Sequence, residues 1–385
     1  MPDPPTISDA DRYSRQVLFP GIGAEGQQKL GGAHAAIVGV GATGAATASL
    51  LARAGVGTLT LIDRDFVEPS NLQRQILFDE SDALASLPKA EAARRHIAAF
   101  NSGIAVQAYV ADLVPANIAA LTSAADIVLD CTDNFETRYL INDFCVQQGK
   151  PWIYAAAIGA YAATMNILPR QVDPNRGDPS SATASSSPKV GSQAASTTSA
   201  LSTLYTLPST LCSSCLACMF PQPPSGPVET CDTAGILSTA VNFAASIQAT
   251  EALKFLTGNA AQMRRTLLSY DLWSNTHSEI SAATPDPDCD VCAHRNFRHL
   301  SGAGRPHITL CGRNSVQIHE HARPIDLTAL AAKLAPLGQV RANGLLLRFE
   351  RAPHTITVFP DGRALIQGTT DIAVARSLYA RFIGS

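Results

Sequence analysis

A chain of 385 residues that is 46% hydrophobic is long enough to bury a full core and to carry a large domain with a smaller one beside it. Only 16% of its residues are charged and its formal net charge is −3, which argues against nucleic acid as the partner. No apolar run reaches bilayer length and the proline-rich start lacks an apolar export segment, so the sequence reads as cytoplasmic, with no membrane partner.

Residues 1–10 read as disordered. Asp11 to Leu30 holds Arg12-Tyr13-Ser14-Arg15-Gln16 and then a Gly/Gln-rich segment, a short helix or two leading into the first strand. On pattern alone, a solvated helix face accounts for Arg12 and Arg15. A short apolar run, Ala35 to Val38, predicts a buried strand, and Ala45 to Ala54 predicts a helix. Between them lies Gly39-Val40-Gly41-Ala42-Thr43-Gly44. In such a spacing Gly39 makes the tight turn, Gly41 lets a phosphate approach the backbone, and Gly44 lets helix and strand close up. The helix start adds unpaired N–H groups and a partial positive charge, so an anion belongs there. A second strand, Thr58 to Ile62, ends at Asp63, 19 residues beyond Gly44, where a ribose-binding acid is expected.

Asp65 and then Glu68-Pro69-Ser70-Asn71-Leu72-Gln73-Arg74-Gln75 follow. Pro69 bars a regular strand or helix, leaving a loop whose Asp, Asn, Gln and Arg side chains can reach ribose, metal and phosphate. Lys89 falls in the first turn of a helix predicted over Ala90 to Phe100. The helix dipole disfavours a cation there, which points to a bound anion; a solvent-facing lysine is the plain alternative. A strand (Ile104 to Val110), a helix (Pro115 to Ala124) and a strand (Asp126 to Asp130) lead to Cys131-Thr132-Asp133-Asn134, and a helix runs from Phe135 to Gln148. This alternation predicts an α/β, doubly wound, mostly parallel Rossmann-like sheet, extended by strands at Trp152 to Ala156 and Ala163 to Leu168.

A Ser/Thr-rich insert over residues 170–210 shows no apolar periodicity and is expected to be mobile. Cys231-Asp232-Thr233-Ala234-Gly235 precedes a helix predicted over Ile236 to Leu256 and stopped by Gly258. Leu267 to Trp273 reads as an edge strand. From His307 the pattern is a strand, a helix (Leu327 to Leu337), two or three strands (Gly344 to Gln367) and a helix (Ile372 to Phe382). We read residues 305–385 as a small α+β C-terminal domain after a main domain over 11–300.

Two CxxC pairs among nine cysteines point to a Cys₄ structural Zn²⁺ site made by Cys215, Cys218, Cys289 and Cys292. Cys212 competes for one place, and His294 is a remoter rival. Cys231, just before a helix start where a thiol pKa falls, is either a nucleophile or a structural thiol or alternative zinc ligand. Cys131 and Cys145 read as core thiols.

Arg12-Tyr13-Ser14-Arg15-Gln16, the glycine turn, Ser70 to Gln75, Lys89, Asp130 to Asn134 and the CxxC pairs occur together and in this order. In that combination the chain resembles the E1-like adenylyltransferases of the ThiF/MoeB/HesA family over Asp11 to Arg298. Leu87-Pro88-Lys89, Cys231 to Leu237 and the C-terminal tail look most like the thiamin-pathway ThiF type of Gram-positive bacteria. The resemblance implies an enzyme that uses ATP and Mg²⁺ to adenylylate the C-terminal glycine of a ubiquitin-like sulfur-carrier protein ending in Gly-Gly. It implies an ATP site that includes Gly41, Ala42, Asp63, Ser70, Asn71, Leu72, Gln73, Arg74, Lys89, Asp133 and Asn134. Within it Asp63 would bind ribose, Arg74 and Lys89 phosphates, and Asp133 Mg²⁺, while Arg15 would reach the phosphates across a homodimer. Cys231 would attack the acyl-adenylate or join the carrier through an acyl disulfide. Two departures stand out: the insert is longer than expected, and the absence of a rhodanese-like module calls for a separate sulfur-donor protein. Alternatives are a molybdopterin-pathway carrier, an NAD(P)-dependent oxidoreductase, which needs only the glycine turn and Asp63, and a non-catalytic scaffold.

Overall fold

The computed structural model describes residues 7–170, 209–223, 233–302, 308–311, 315–318 and 324–384; most of the Ser/Thr-rich insert, and Cys231, lie outside the described residues. Three helices open the chain: α1 (Asp9–Arg12), α2 (Ser14–Val17) and α3 (Gly23–Gly32). The first begins inside the segment expected to be disordered, and Ser8 caps it by accepting the Asp11 N–H.

A strand–helix alternation follows: β1 (His34–Val38), α4 (Ala42–Ala54), β2 (Thr58–Asp63), a short α5 (Glu80–Leu84), α6 (Lys89–Phe100), β3 (Ala105–Val110), α7 (Ile118–Thr122), β4 (Ile127–Asp130), α8 (Phe135–Gln148) and β5 (Trp152–Ile158). These five strands run parallel in the order β3-β2-β1-β4-β5. The chain then turns back through β6 (Tyr161–Ile167), passes α9 (Leu216–Met219) and α10 (Ser238–Leu256), and adds β7 (Thr266–Asp271) and β8 (Thr276–Ser281), all antiparallel. The result is the expected mixed α/β, mostly parallel Rossmann-like sheet, of eight strands.

Two expectations need correcting. The strand expected at the edge, β7, lies between β6 and β8. The edge belongs to β8, whose six residues are all exposed and therefore carry no apolar alternation to read. The helix expected over Pro115 to Ala124 is trimmed to α7, because Asn117 turns its side-chain oxygen to the Val114 N–H and holds the preceding residues in a turn.

The central strands are buried on both faces, as parallel sheets require. Ala35 and Ile37 of β1 enter one apolar cluster with α4, α6 and α10, whereas Ala36 and Val38 enter the other with α8. One fully buried polar residue ties α10 to the sheet. Gln248 donates to the carbonyls of Asp130 and Ile153, each at 2.9 Å, and accepts from Thr47 Oγ1 at 2.9 Å and Cys131 Sγ at 3.1 Å. All four side-chain hydrogen-bonding positions of this amide are used, which removes the cost of burying it.

A second, antiparallel sheet is built from β9 (Ile308–Cys311), β10 (Ser315–Ile318), β11 (Gln339–Asn343), β12 (Leu346–Arg351), β13 (His354–Val358) and β14 (Ala364–Gln367), in the order β11-β12-β13-β14-β10-β9. Helices α11 (Leu327–Leu334) and α12 (Ile372–Phe382) supply Leu327, Leu330, Leu334, Tyr379 and Phe382 to its core. Two strands precede α11 and four follow it, more than expected; the extra ones, β10 and β11, are only four and five residues long. Among the described residues no helix is long and apolar enough to cross a membrane.

Candidate functional site

The glycine turn joins β1 to α4 at the carboxyl end of the sheet. Gly39 has a left-handed backbone (φ +83°), and a Cβ there would lie 2.7 Å from the Cys131 carbonyl oxygen. Gly44 faces back on the turn: a Cβ would lie 1.8 Å from the Gly39 oxygen. Gly41 differs from both. Its Cβ position meets nothing nearer than Gln75 Nε2 at 3.9 Å, so the space beside the N-terminus of α4 is open. With Gly41 as the cap and no side chain bonded to the helix start, the first N–H groups of α4, beginning at Ala42, face that space.

Asp63 ends β2 beside the turn. Its carboxylate accepts the Val40 N–H at 2.6 Å and the Asp65 N–H at 2.7 Å. Burial pushes this carboxyl up to about 6, against the pull of Lys89. The chain then forms a short ladder: Lys89 N–H bonds the Asp65 carbonyl at 2.9 Å, Val67 N–H bonds the Leu87 carbonyl at 2.8 Å, and Phe66 bridges Pro88. Lys89 is therefore not a solvated helix-start lysine. It is 6% exposed, and its Nζ lies 3.3 Å from Asp65 Oδ2.

The Pro69 segment is a turn of 3₁₀ helix (Pro69–Asn71). Asn71 is fully buried, its Oδ1 accepting the Glu68 N–H at 3.0 Å, while its Nδ2 has no hydrogen-bond partner. Arg74 is buried too and donates to the Ser70 carbonyl at 2.8 Å. Ser70 and Gln73 are exposed and Leu72 is half-buried. Gln75, in the ligand-reaching loop but outside the expected ATP-site residues, is 3% exposed with Oε1 unpartnered, and it faces the open space at Gly41. An orphaned polar atom on Gln75 beside a cradle that a Cβ would partly fill, with a second on Asn71 four residues earlier, fits a polar, phosphate-bearing ligand.

Asp133 and Asn134 lie past the carboxyl end of β4. Asp133 is exposed, whereas Asn134 caps α8 by accepting the Thr137 N–H at 2.8 Å. Arg138 was not foreseen. It is buried, pairs with Asp130 at 2.8 Å, and its guanidinium lies over the Tyr154 ring at 4.8 Å, fixing the Cys131–Asn134 loop from below. No local spacing signals it. Arg15 stands apart on α2, exposed beside Leu18 and Phe19, which are 71% and 61% exposed.

Cys215, Cys218, Cys289 and Cys292 converge, with all four Sγ atoms within 4.8 Å of one another. The Cys215–Cys289, Cys215–Cys218 and Cys218–Cys292 separations are 3.6, 3.7 and 3.4 Å. A tetrahedron with ~2.3 Å metal–sulfur bonds has edges of about 3.8 Å, so the donor set fits Zn²⁺. Cys212 and His294 are not in the group. Asn142 of α8 accepts the Leu216 N–H at 2.9 Å, and the Asp286 N–H points at Cys218 Sγ at 3.5 Å.

A model described as the ThiF family matches residues 13–291. The chain is 41% identical over 377 residues to the sulfur carrier protein ThiS adenylyltransferase of Bacillus subtilis, covering 97% of this chain and 99% of that one. It is 31% identical to the SAMP-activating enzyme E1 of Haloferax volcanii, covering 73% and 88%. Among solved structures, E. coli MccB with MccA-N7isoASN matches with a TM-score of 0.57 at 21% identity over 75% of this chain and 76% of that one, a likeness of fold. A glycine turn, an acid-tipped second strand and a four-thiol cluster on this topology, matched over residues 13–291, have one explanation: the chain belongs to the ThiF family.

Proposed function

We propose that this protein is an E1-like adenylyltransferase that uses ATP to activate the C-terminal glycine of a ubiquitin-like sulfur-carrier protein, the thiamin-pathway carrier in the first instance. One observation carries the reading: an open helix start at Gly41, a strand-end acid at Asp63 and a buried cation at Lys89 share one end of the sheet. The end-to-end similarity to a ThiS adenylyltransferase supports the choice of substrate.

The reaction joins a carboxylate to the α-phosphorus as the bond to pyrophosphate breaks. The carboxylate is already ionised at neutral pH, so no general base is needed; the difficulty is bringing one anion against another. Arg74 and Lys89 would offset the phosphate charge, with Arg15 supplied by the second protomer of a homodimer. Asp63 would accept the ribose hydroxyls, and Ala42, Ser70, Asn71, Leu72, Gln73 and Asn134 would line the nucleotide. Lys89 already pairs with Asp65, which holds its ammonium in place before a phosphate arrives. Asp133, exposed past β4, would hold Mg²⁺, which supplies further charge neutralisation when bound. The four thiols would hold a structural zinc, since four protein ligands leave no open position. Sulfur would come from a separate donor protein, and the enzyme would act in the cytoplasm. Cys231 keeps its role as a proposal from sequence.

The test is ATP–pyrophosphate exchange with Mg²⁺ and a carrier ending in Gly-Gly, run with thiamin-type and molybdopterin-type carriers in parallel. Asp133→Ala is expected to lower exchange by about 10². Exchange within about threefold of wild type would remove Asp133 from the site, and no carrier-AMP with any carrier would remove the activity.

A further inference from the structure

The ladder that carries Asp65 and Lys89 is backed by the second sheet. Its middle residue, Phe66, is 4% exposed and packs with Leu346 at the start of β12 and Phe359 just after β13, with Val110 alongside. This cluster is separate from the second sheet's own core, which α11 and α12 close without it. A second contact reaches Asp63 through β3. Val110 is the register partner of Asp63 in the parallel β2–β3 pair, and the next amide, Ala111, donates to the Asp63 carbonyl at 3.2 Å. The Val110 carbonyl in turn accepts from Arg363 Nη2 at 3.4 Å. Arg363 is 1% exposed, fixed by Asp361 at 2.6 Å and lying over the Phe359 ring at 4.5 Å.

We infer that Phe359, Leu346 and Arg363 are positioning residues for the nucleotide site: the second sheet braces the end of β2 at two points, and through Phe66 and Val110 it sets where Asp63 and Lys89 stand. The inference rests on the adenylyltransferase reading only for its kinetic readout. The chain of contact is short. Phe66 follows Asp65 directly, and Pro88, its bridge partner, precedes Lys89. Releasing Phe66 frees a two-rung ladder that otherwise hangs from a loop, so Asp63 and Lys89 would hold a nucleotide less firmly. Packing that only held the two sheets together would touch neither residue.

The experiment compares Phe359→Ala and Arg363→Gln with Leu334→Ala, which loosens the second sheet's own core without touching Phe66. Full-length variants are checked for folding by circular dichroism, and two quantities are read: KM for ATP against kcat in pyrophosphate exchange, and amide hydrogen exchange at Val67 and Lys89. Phe359→Ala is expected to raise KM for ATP about tenfold with kcat within about threefold, and to speed exchange of the two amides by about tenfold. Phe359→Leu should recover most of both effects, and Leu334→Ala should change neither by more than about twofold. Unchanged KM and amide exchange in folded Phe359→Ala and Arg363→Gln would overturn the brace, as would equal changes in Leu334→Ala. Should Phe359→Ala not fold, Arg363→Gln decides by the same criteria. A wild-type protein without pyrophosphate exchange would refute the activity, and amide exchange would still decide the brace.

Discussion

Adding one methyl group at Gly44 tests whether the turn is closed by contact, and adding one at Gly41 tests whether it is left open for a ligand. At Gly44 the new Cβ would sit 1.8 Å from the Gly39 oxygen and 3.2 Å from Cys131 Cβ, some 1.6 Å inside the 3.4 Å at which ordinary contact begins. Gly39 cannot retreat, because its own Cα hydrogens already face the Cys131 carbonyl, with a Cβ position only 2.7 Å away. The N-terminus of α4 must therefore move. Overpacking of this kind costs about 3 kcal/mol, which lowers the melting temperature of a chain this size by about 4 °C. A shift above 1 Å at the helix start should also reduce pyrophosphate exchange by about 10². Gly41→Ala has a different signature. Its φ is −76° and its Cβ meets nothing nearer than 3.9 Å, so the melting temperature should hold within about 1 °C. If phosphate approaches that backbone, affinity for ATP should nevertheless fall at least about tenfold, measured by calorimetric titration. A stable Gly44→Ala with exchange within threefold of wild type would refute the packing argument. Unchanged ATP affinity in Gly41→Ala would refute the cradle.

Two further outcomes follow from the buried groups. Purified protein should carry about one zinc per chain by elemental analysis, and Cys289→Ala should lose the metal and melt earlier; less than about half an equivalent in wild type would count against the cluster. The Asp63 carboxyl, raised by burial from 3.8 to about 6, makes the folded chain bind more protons than the unfolded one between those values. Stability from this group is thus highest below pH 4 and declines as pH rises toward 6, by up to about 3 kcal/mol. Denaturant titrations should show Asp63→Asn without that decline while its affinity for ATP falls. Asp143, raised to about 6 by the same cause, keeps its own share in both proteins, so the difference between the curves isolates Asp63.

What sequence spacing encodes locally was readable, and the structure shows why. Gly44 answers to the Gly39 carbonyl within one strand–turn–helix unit, which the spacing of the glycines encodes, whereas Gly39 and Gly41 face Cys131 and Gln75 from elsewhere in the chain. Two CxxC pairs announce four thiols whatever lies between them, and the four do converge. By contrast β8 has every side chain exposed, and β10 and β11 are four and five residues long. β8 exists because a neighbour offers backbone hydrogen bonds, not because its own pattern demands a sheet, and β10 and β11 are too short for their pattern to be read. Lys89 shows the same division. Its place in the first helical turn was visible, but its burial came from Asp65, 24 positions earlier, through a ladder no periodicity marks.

Asn134 and Gln248 show how a polar residue's role depends on distance in the chain. Asn134 serves the amide of Thr137, three residues on, so its side-chain oxygen is occupied by α8 and only its remaining polar atoms are free to face a nucleotide. Gln248 reaches Asp130, more than a hundred residues away, and Cys131 beside it. It fixes the loop before Asp133 from the face of the sheet that carries α4. Arg138 fixes the same loop through Asp130, and Arg363 approaches the Asp63 strand end through Val110. A spacing motif lists the groups that would meet the ligand. Distant residues such as these set the precision with which those groups are held, and that precision, more than their identity, decides how much charge stabilisation reaches a transition state.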